Sequence, residues 1–189
     1  MRIIAGLGKG RNLISPKGGT RPTSDRAKEA LFSTLESEFG SLNDLHFLDL
    51  YCGSGAVGVE ALSRGAAVVH AVDKEESATS IARQNFEMLE NIAGIGAASI
   101  FTMAANRYIE TIANSAFDII FIDPPYDVKN DNVEKILGEI TARHLIKFGG
   151  VIAVERETKS PKFRWPEGLV PLKEREYGIA TIYYAGPKE

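Results

Sequence analysis

The 189-residue sequence has one cysteine, Cys52, which excludes a disulfide within the chain and any cysteine-based zinc centre; that usage fits a reducing compartment. No apolar run approaches the roughly 20 residues that a membrane-spanning helix needs. The opening Met1-Arg2-Ile3-Ile4-Ala5-Gly6 lacks the apolar core of a secretory signal, so a cytoplasmic location is expected. Internal repeats, low-complexity stretches and interdomain linkers are also missing, and the length leaves no room for a second complete domain. A single domain over residues 1–189 is therefore expected, with 44% hydrophobic and 25% charged residues to form an ordinary core and surface.

An overall excess of positive charge is absent too. The net charge of −3 looks unsuited to a nucleic-acid partner, but its distribution is uneven. Residues 1–28 hold Arg2, Lys9, Arg11, Lys17, Arg21, Arg26 and Lys28 against Asp25 alone, a local excess of +6. Arg and Gly interleaved with apolar residues read either as a solvated tail or as an ordered phosphate-contacting hairpin. The second reading pairs Arg2–Ala5 with Asn12–Ser15 across Gly6–Gly10, before a Pro16–Pro22 loop. A helix capped by Thr23 or Ser24 follows, with Ala27, Ala30, Leu31, Thr34 and Leu35 on its buried stripe. The expected division is a basic extension, residues 1–22, and a core, residues 23–189.

From residue 45 short apolar runs alternate with helical patterns, the sign of a parallel sheet covered on both faces. Strands are expected at His46–Tyr51, Ala67–Asp73, Ala98–Thr102, Phe117–Asp123 and Gly150–Glu155. Helices are expected around Val57–Arg64, Glu75–Asn91, Asn106–Asn114 and Asn132–His144. Gly168–Tyr177 and Ile179–Ala185 have no helix between them, which predicts an antiparallel pair at the end of the sheet.

The first of these strands runs into Asp49-Leu50-Tyr51-Cys52-Gly53-Ser54-Gly55. Gly53 and Gly55 allow a sharp turn and close approach of backbone to a ligand. With Gly58 they complete the spacing of a dinucleotide fingerprint, a weak signal when alone. A dinucleotide would place its pyrophosphate at the helix N-terminus, whereas the acid at Asp49 suits a cationic ligand better. S-adenosylmethionine carries a sulfonium and an α-ammonium, and a carboxylate at the strand end can hold the latter. Asp73 ends the second strand, where a carboxylate accepts both ribose hydroxyl protons, or else caps the next helix. No Tyr-x-x-x-Lys or His-centred proton-transfer group supports nicotinamide chemistry. Cys52 reads as a packing residue in the turn, and amine methylation needs no covalent enzyme intermediate.

A further buried strand ends in Asp123-Pro124-Pro125-Tyr126. Two prolines restrict the backbone and remove two donors, so the segment presents carbonyl oxygens from a rigid loop. The exocyclic amine of guanine or adenine is a poor nucleophile because its lone pair is delocalised into the ring. Accepting its two N–H bonds at the Asp123 carboxylate and the Pro124 carbonyl favours pyramidalisation, and Tyr126 is placed to stack on the base. The base must enter the site outside its stack. A rigid capped turn is the competing reading of this tetrapeptide; its place after the fourth strand of a sheet whose first strand carries a cofactor turn favours catalysis. Guanine, adenine and glutamine amines all remain open on this motif alone.

Together these segments resemble the RsmD family of bacterial 16S ribosomal RNA guanine-N2 methyltransferases. The likeness extends over nearly the whole chain: Arg2-Ile3-Ile4-Ala5-Gly6, Lys9-Gly10-Arg11, Thr20-Arg21-Pro22-Thr23, Asp25-Arg26, Glu29-Ala30-Leu31-Phe32, Asp49 to Gly55, and Asp123 to Tyr126. The resemblance implies a Rossmann-like class I S-adenosylmethionine-dependent methyltransferase, α/β, with a seven-stranded mostly parallel sheet, an antiparallel C-terminal hairpin and an N-terminal β-hairpin extension. It implies cofactor contacts from Asp49, Tyr51, Gly53, Ser54, Gly55, Asp73 and Lys74, and RNA contacts from Lys9, Arg11, Arg21, Thr23 and Arg26. After the third strand relatives often carry a polar or acidic side chain for the adenine amine. Here the chain reads Thr102-Met103-Ala104-Ala105, so the backbone of Ala104 and Ala105 would take that role. The implied substrate is 16S ribosomal RNA, presented on a partly or fully assembled 30S subunit to a monomeric enzyme without a metal. A DNA adenine-N6 methyltransferase shares the tetrapeptide but usually carries an added target-recognition domain. A protein-glutamine methyltransferase more often has Asn in place of Asp123.

Overall fold

The computed structural model describes residues 1–15, 25–112 and 116–188. In chain order its elements are α1 (Asp25–Phe39), β1 (His46–Leu50), α2 (Ala56–Ser63), β2 (Val68–Asp73), α3 (Glu76–Glu87), β3 (Ala97–Thr102), α4 (Ala105–Thr111), β4 (Phe117–Ile122), α5 (Asn130–Ala142), β5 (Ile146–Glu157), β6 (Leu169–Tyr177) and β7 (Ala180–Pro187). The seven strands form one sheet in the order β3-β2-β1-β4-β5-β7-β6. The first five strands pair in parallel, while β7 runs antiparallel between β5 and β6. This is the expected α/β arrangement with its antiparallel ending. The chain reverses its direction of travel across the sheet between β1 and β4, the place where open parallel sheets present a ligand crevice at the strands' carboxyl ends.

Side-chain alternation divides the core in two. Phe47, Val69, Ala71, Ile119, Phe121, Val151 and Ala153 pack with α1, α2 and α3 on one face. Leu48, Leu50, Val72, Ile120, Ile122, Ile152 and Val154 pack with α4 and α5 on the other. Both sets come from the same strands, which explains why these strands read as continuous apolar runs. β5 starts earlier than expected: the β4–β5 register slips between Phe117↔Ile146 and Ile119↔Val151. Gly149 adopts φ 75° in the slipped segment, and Lys147 Nζ donates to Asp118 Oδ2 at 2.8 Å beside it. The glycine pair at 149–150 therefore lies within a strand irregularity rather than before the strand.

The expected N-terminal β-hairpin is not confirmed. Among the described residues its pairing is the single antiparallel bridge Arg2↔Asn12, with Ile3 N donating to the Arg11 carbonyl at 3.0 Å and Leu13 N to the Met1 carbonyl at 3.0 Å. Strands do not extend from the bridge because the segment's amides are drawn to other elements. Ile4 N and Ala5 N donate to the Glu60 carboxylate at 2.8 and 3.0 Å, Leu7 N to the Ser63 carbonyl at 2.7 Å, and Gly8 N to Ser63 Oγ at 2.9 Å. Gly6 permits this approach: its φ is 79°, and a Cβ there would stand 1.8 Å from the Ser63 carbonyl oxygen. The helix caps expected at Thr23 or Ser24, and the Pro16–Pro22 loop, lie outside the described residues.

Lys28 also departs from the sequence expectation. It belongs to the basic N-terminal excess, yet it and Glu60 are fully buried. Lys28 Nζ donates to the Arg2 carbonyl at 2.6 Å and lies 3.3 Å from Glu60 Oε2. Arg64 Nε meets Glu60 Oε1 at 2.9 Å, and its Nη1 reaches Glu36 at 2.7 Å. A buried charge is costly unless it is paired and hydrogen-bonded, and here every partner comes from the extension, α1 or α2. Replacing Glu60→Gln removes the charge that neutralises Lys28; it should lower unfolding free energy by about 3–5 kcal/mol. Urea denaturation checks this, and a loss below about 1 kcal/mol would rule out the network as the extension's anchor.

Candidate active site

The glycine turn follows directly from β1. Tyr51 adopts φ 62°, a left-handed conformation uncommon for a bulky residue, then Gly53 and Gly55 follow with φ 53° and 74°. Cys52 N donates to the Val72 carbonyl at 3.0 Å and Gly55 N to the Cys52 carbonyl at 2.8 Å, holding the turn against β2. The three glycines do different work. A Cβ on Gly53 would meet nothing within 4 Å, so its backbone borders open space. A Cβ on Gly55 would stand 3.0 Å from Phe86 Cε2, and one on Gly58 would stand 2.9 Å from Phe86 Cζ and 3.2 Å from Asp49 Oδ2. Gly55 and Gly58 thus let α2 pack on α3 and β1, while Gly53 faces the cleft. Gly55, expected at the ligand, is not among the residues lining the cavity.

Asp49 is 1% exposed. Its Oδ2 accepts from Gly58 N at 2.9 Å, capping the first turn of α2 from the neighbouring strand. Burial is the main force that raises its carboxyl to about 8; the Gly58 amide opposes this rise, while Asp123 and Asp73 add to it. Asp73 accepts from Gly53 N at 2.9 Å through Oδ2 and from Glu75 N at 3.0 Å through Oδ1. It therefore shapes the turn and the approach to α3, and each carboxylate oxygen retains a further lone pair. Asp49 already takes the Gly58 amide at the first turn of α2, and its carboxyl can ionise beside a cation but not beside an anion, which makes this turn a poor pyrophosphate site and a better one for a cation. Burial, with Asp49 and Asp73 nearby, pushes the Cys52 thiol far up, in keeping with a packing role.

Across the cleft, Asp123 N donates to the Leu50 carbonyl at 3.3 Å, so the tetrapeptide starts beside the end of β1. Val128 N closes a turn onto the Pro125 carbonyl at 2.9 Å, and Arg156 Nη1 reaches the same oxygen at 3.4 Å. No hydrogen bond among the described residues engages the Pro124 carbonyl. Tyr126 is 36% exposed, the condition an aromatic platform requires.

One cavity of about 980 Å³ joins the two ends, lined by Asp49, Tyr51, Gly53, Ser54, Asp73 and Lys74 on one side and by Asp123, Pro124, Pro125 and Tyr126 on the other. Ala104 and Ala105 line it as well, with Ala104 as the N-cap of α4 and no side-chain cap bond. Lys9, Arg11 and Arg26 are exposed and stand outside its lining; Arg11 Nη1 donates to the Met88 carbonyl. Arg21 and Thr23 lie outside the described residues. Sequence reasoning overlooked Met1, Ala27, Glu155 and Tyr177 on the wall, and Asn85 behind it. Fully buried Asn85 holds the Ser54 carbonyl at 2.8 Å and both backbone groups of Ile14. Glu155-Arg156, two charges closing a buried apolar strand, was the readable signal for one of these places.

The family model described as conserved hypothetical protein 95 matches residues 1–186. Ribosomal RNA small subunit methyltransferase D of Haemophilus influenzae is 31% identical over 183 residues, 96% of this chain and 91% of that protein. The solved structure of yhhF from Escherichia coli, provisionally named a methyltransferase, superposes with a TM-score of 0.84 at 26% identity, over 100% of this chain and 98% of that one. Magnesium protoporphyrin IX methyltransferase from Synechocystis PCC 6803, solved with bound S-adenosylmethionine, shares the fold alone, with TM-score 0.63 at 14% identity over 85% and 79% of the chains. The fold is the Rossmann-like one of S-adenosylmethionine-dependent methyltransferases.

The different surroundings of Gly53 and Gly58 have separable consequences. Gly58→Val should cost about 1–3 kcal/mol of stability by overpacking against Phe86 and Asp49. Gly53→Ala should cost about 1 kcal/mol, the left-handed backbone term alone, while narrowing the cleft. Parallel denaturant curves test the order, and a more damaging Gly53→Ala would contradict it.

Proposed function

The chain belongs to the conserved hypothetical protein 95 family, the RsmD family, and from that premise we propose that it methylates the exocyclic N2 of a guanine in 16S ribosomal RNA. The observation that carries this reading is the placement of Asp123-Pro124-Pro125-Tyr126 across one cavity from Asp49, Gly53 and Asp73. The cavity fits S-adenosylmethionine. Gly53 leaves room for close backbone approach, Asp49 offers a carboxylate to the ammonium, and Asp73 offers lone pairs to ribose hydroxyls. Tyr51, Ser54 and Lys74, with the backbone at Ala104 and Ala105, complete the lining that would hold it. When bound, the cofactor supplies an electrophilic methyl group.

The chain's own groups prepare the amine. The Asp123 carboxylate and the Pro124 carbonyl accept its two N–H bonds, which turns the nitrogen lone pair away from the ring and toward the electrophile. Tyr126 stacks on the base once the base has left its own stack. Asp123 or water receives the proton released after transfer. Lys9, Arg11, Arg21, Thr23 and Arg26 form the proposed RNA-contacting set, and of these the described Lys9, Arg11 and Arg26 stand outside the cleft lining, where they would meet phosphates. The proposed setting is a cytoplasmic monomer acting on a partly or fully assembled small subunit.

A labelled-methyl assay on unmethylated 30S particles, free 16S RNA, DNA and protein, followed by mass spectrometry of the digest, should yield N2-methylguanosine. Labelled N6-methyladenine or methylglutamine would refute the assignment. Asp123→Ala should reduce transfer by about 10²–10⁴-fold with cofactor affinity largely intact; unchanged turnover removes Asp123 from the mechanism. Since burial holds the Asp49 carboxyl at about 8 without ligand, pairing it with an ammonium must release its proton. Cofactor affinity should therefore fall as pH is lowered from about 8 toward 6, and Asp49→Asn should flatten that dependence. Calorimetry across this range decides, a flat wild-type profile being the contrary result.

A further inference from the structure

We propose that Arg156 is the positioning residue of the Asp123–Tyr126 loop, fixing where the Asp123 carboxylate, the Pro124 carbonyl and the Tyr126 ring stand by donating to the carbonyls of Pro125 and Val128. The inference rests on the reading of that loop as the methyl-transfer segment. Its starting point is the loop's composition. Pro124 and Pro125 have no N–H, so this stretch is best held through its oxygens, by a donor from another element. Arg156 is that donor: Nη2 meets the Val128 carbonyl at 2.6 Å and Nη1 the Pro125 carbonyl at 3.4 Å. Its two nitrogens thus span both ends of the turn that Val128 N closes on Pro125 at 2.9 Å.

The fold brings the residue there. β4 and β5 are paired to Ile122↔Val154, so two residues further along β5 Arg156 stands beside the chain leaving β4. It is 3% exposed, which keeps water from competing for the two carbonyls. Its Nε is buried with no hydrogen-bond partner among the described residues, so the side chain is aimed at the loop at the expense of one donor. Burial lowers the Arg156 pKa, while Asp123, Tyr126, Tyr51 and Asp127 act to raise it, which places its charge within the field of the loop's acidic groups. A lysine would keep that charge but not the planar fork that serves two oxygens.

Arg156→Ala and Arg156→Lys, compared with wild type, test the role. In Arg156→Ala, kcat on unmethylated 30S particles should fall at least tenfold with cofactor Kd within threefold of wild type, and added guanidinium ion should restore part of the rate. Arg156→Lys should fall between. Hydrogen exchange of the Val128 amide, measured without substrate, should accelerate at least tenfold in Arg156→Ala while α2 and α3 amides stay protected. Unchanged Val128 exchange, or kcat within twofold of wild type, overturns the proposal. Parallel losses of kcat, cofactor affinity and protection throughout the protein, without guanidinium rescue, overturn it as well by assigning Arg156 a general stabilising role. Wild-type protein that methylates no guanine refutes the proposed function instead, and the substrate-free exchange measurement then still decides whether Arg156 holds the loop.

Discussion

The buried Glu60 carboxylate organises one rim of the cleft. It accepts from Ile4 N, Ala5 N and Arg64 Nε and pairs with Lys28. These groups come from the N-terminal segment, α2 and α1, so one side chain sets the distance between three pieces of chain. Removing any partner would expose the rest to the cost of an uncompensated buried group. Met1 and Ala27 reach the cavity wall from the two elements this carboxylate secures. The N-terminal segment is therefore built into the wall, and its backbone is held by core groups at Glu60 and Ser63 as well as by its own short antiparallel bridge.

The cleft has a second electrostatic principle. Asp49 lies below the glycine turn, Asp73 grips it from β2, and Asp123 begins the opposite loop; Asp123 and Asp73 both raise the Asp49 carboxyl. Three acids so arranged favour positive charge in the space between them. Arg156 meets part of that demand from behind the loop, on the face shared by α4 and α5, where it leaves the cavity open. Rigidity comes from tying each segment of the cleft by its backbone: the glycine turn to Val72 and Asp73, the tetrapeptide to Leu50 and Arg156. Such preorganisation is what the proposed transfer to a weak nucleophile requires, since little reorganisation is left for the moment of transfer.

Most of the parallel sheet was legible because its signal is local. His46–Leu50 and Phe117–Ile122 are apolar runs too short for a helix, followed by glycine or proline punctuation. The slipped start of β5 was less legible, since Lys147-Phe148-Gly149-Gly150 interrupts the apolar pattern that marks a strand. The burial of Lys28 was illegible for a different reason. Its charge is visible in the sequence, but the Glu60 that cancels it lies 32 positions away and lacks any local cue. The N-terminal pairing is limited to one antiparallel bridge for a related reason, because Glu60 and Ser63 take amides that a longer hairpin would pair with itself.

By itself the sequence determined the strand and helix pattern, the glycine turn after Asp49 and the Asp123-Pro124-Pro125-Tyr126 loop with its two donor-free prolines. These depend on backbone preferences and on periodicity within a few residues. Only the tertiary structure decided which glycine borders the cleft, that Asp49 holds its proton to about pH 8, and that Arg156 stands behind the tetrapeptide. Each of those properties is a relation between groups far apart in the chain, set by sheet register and burial, and none exists until the strands have paired.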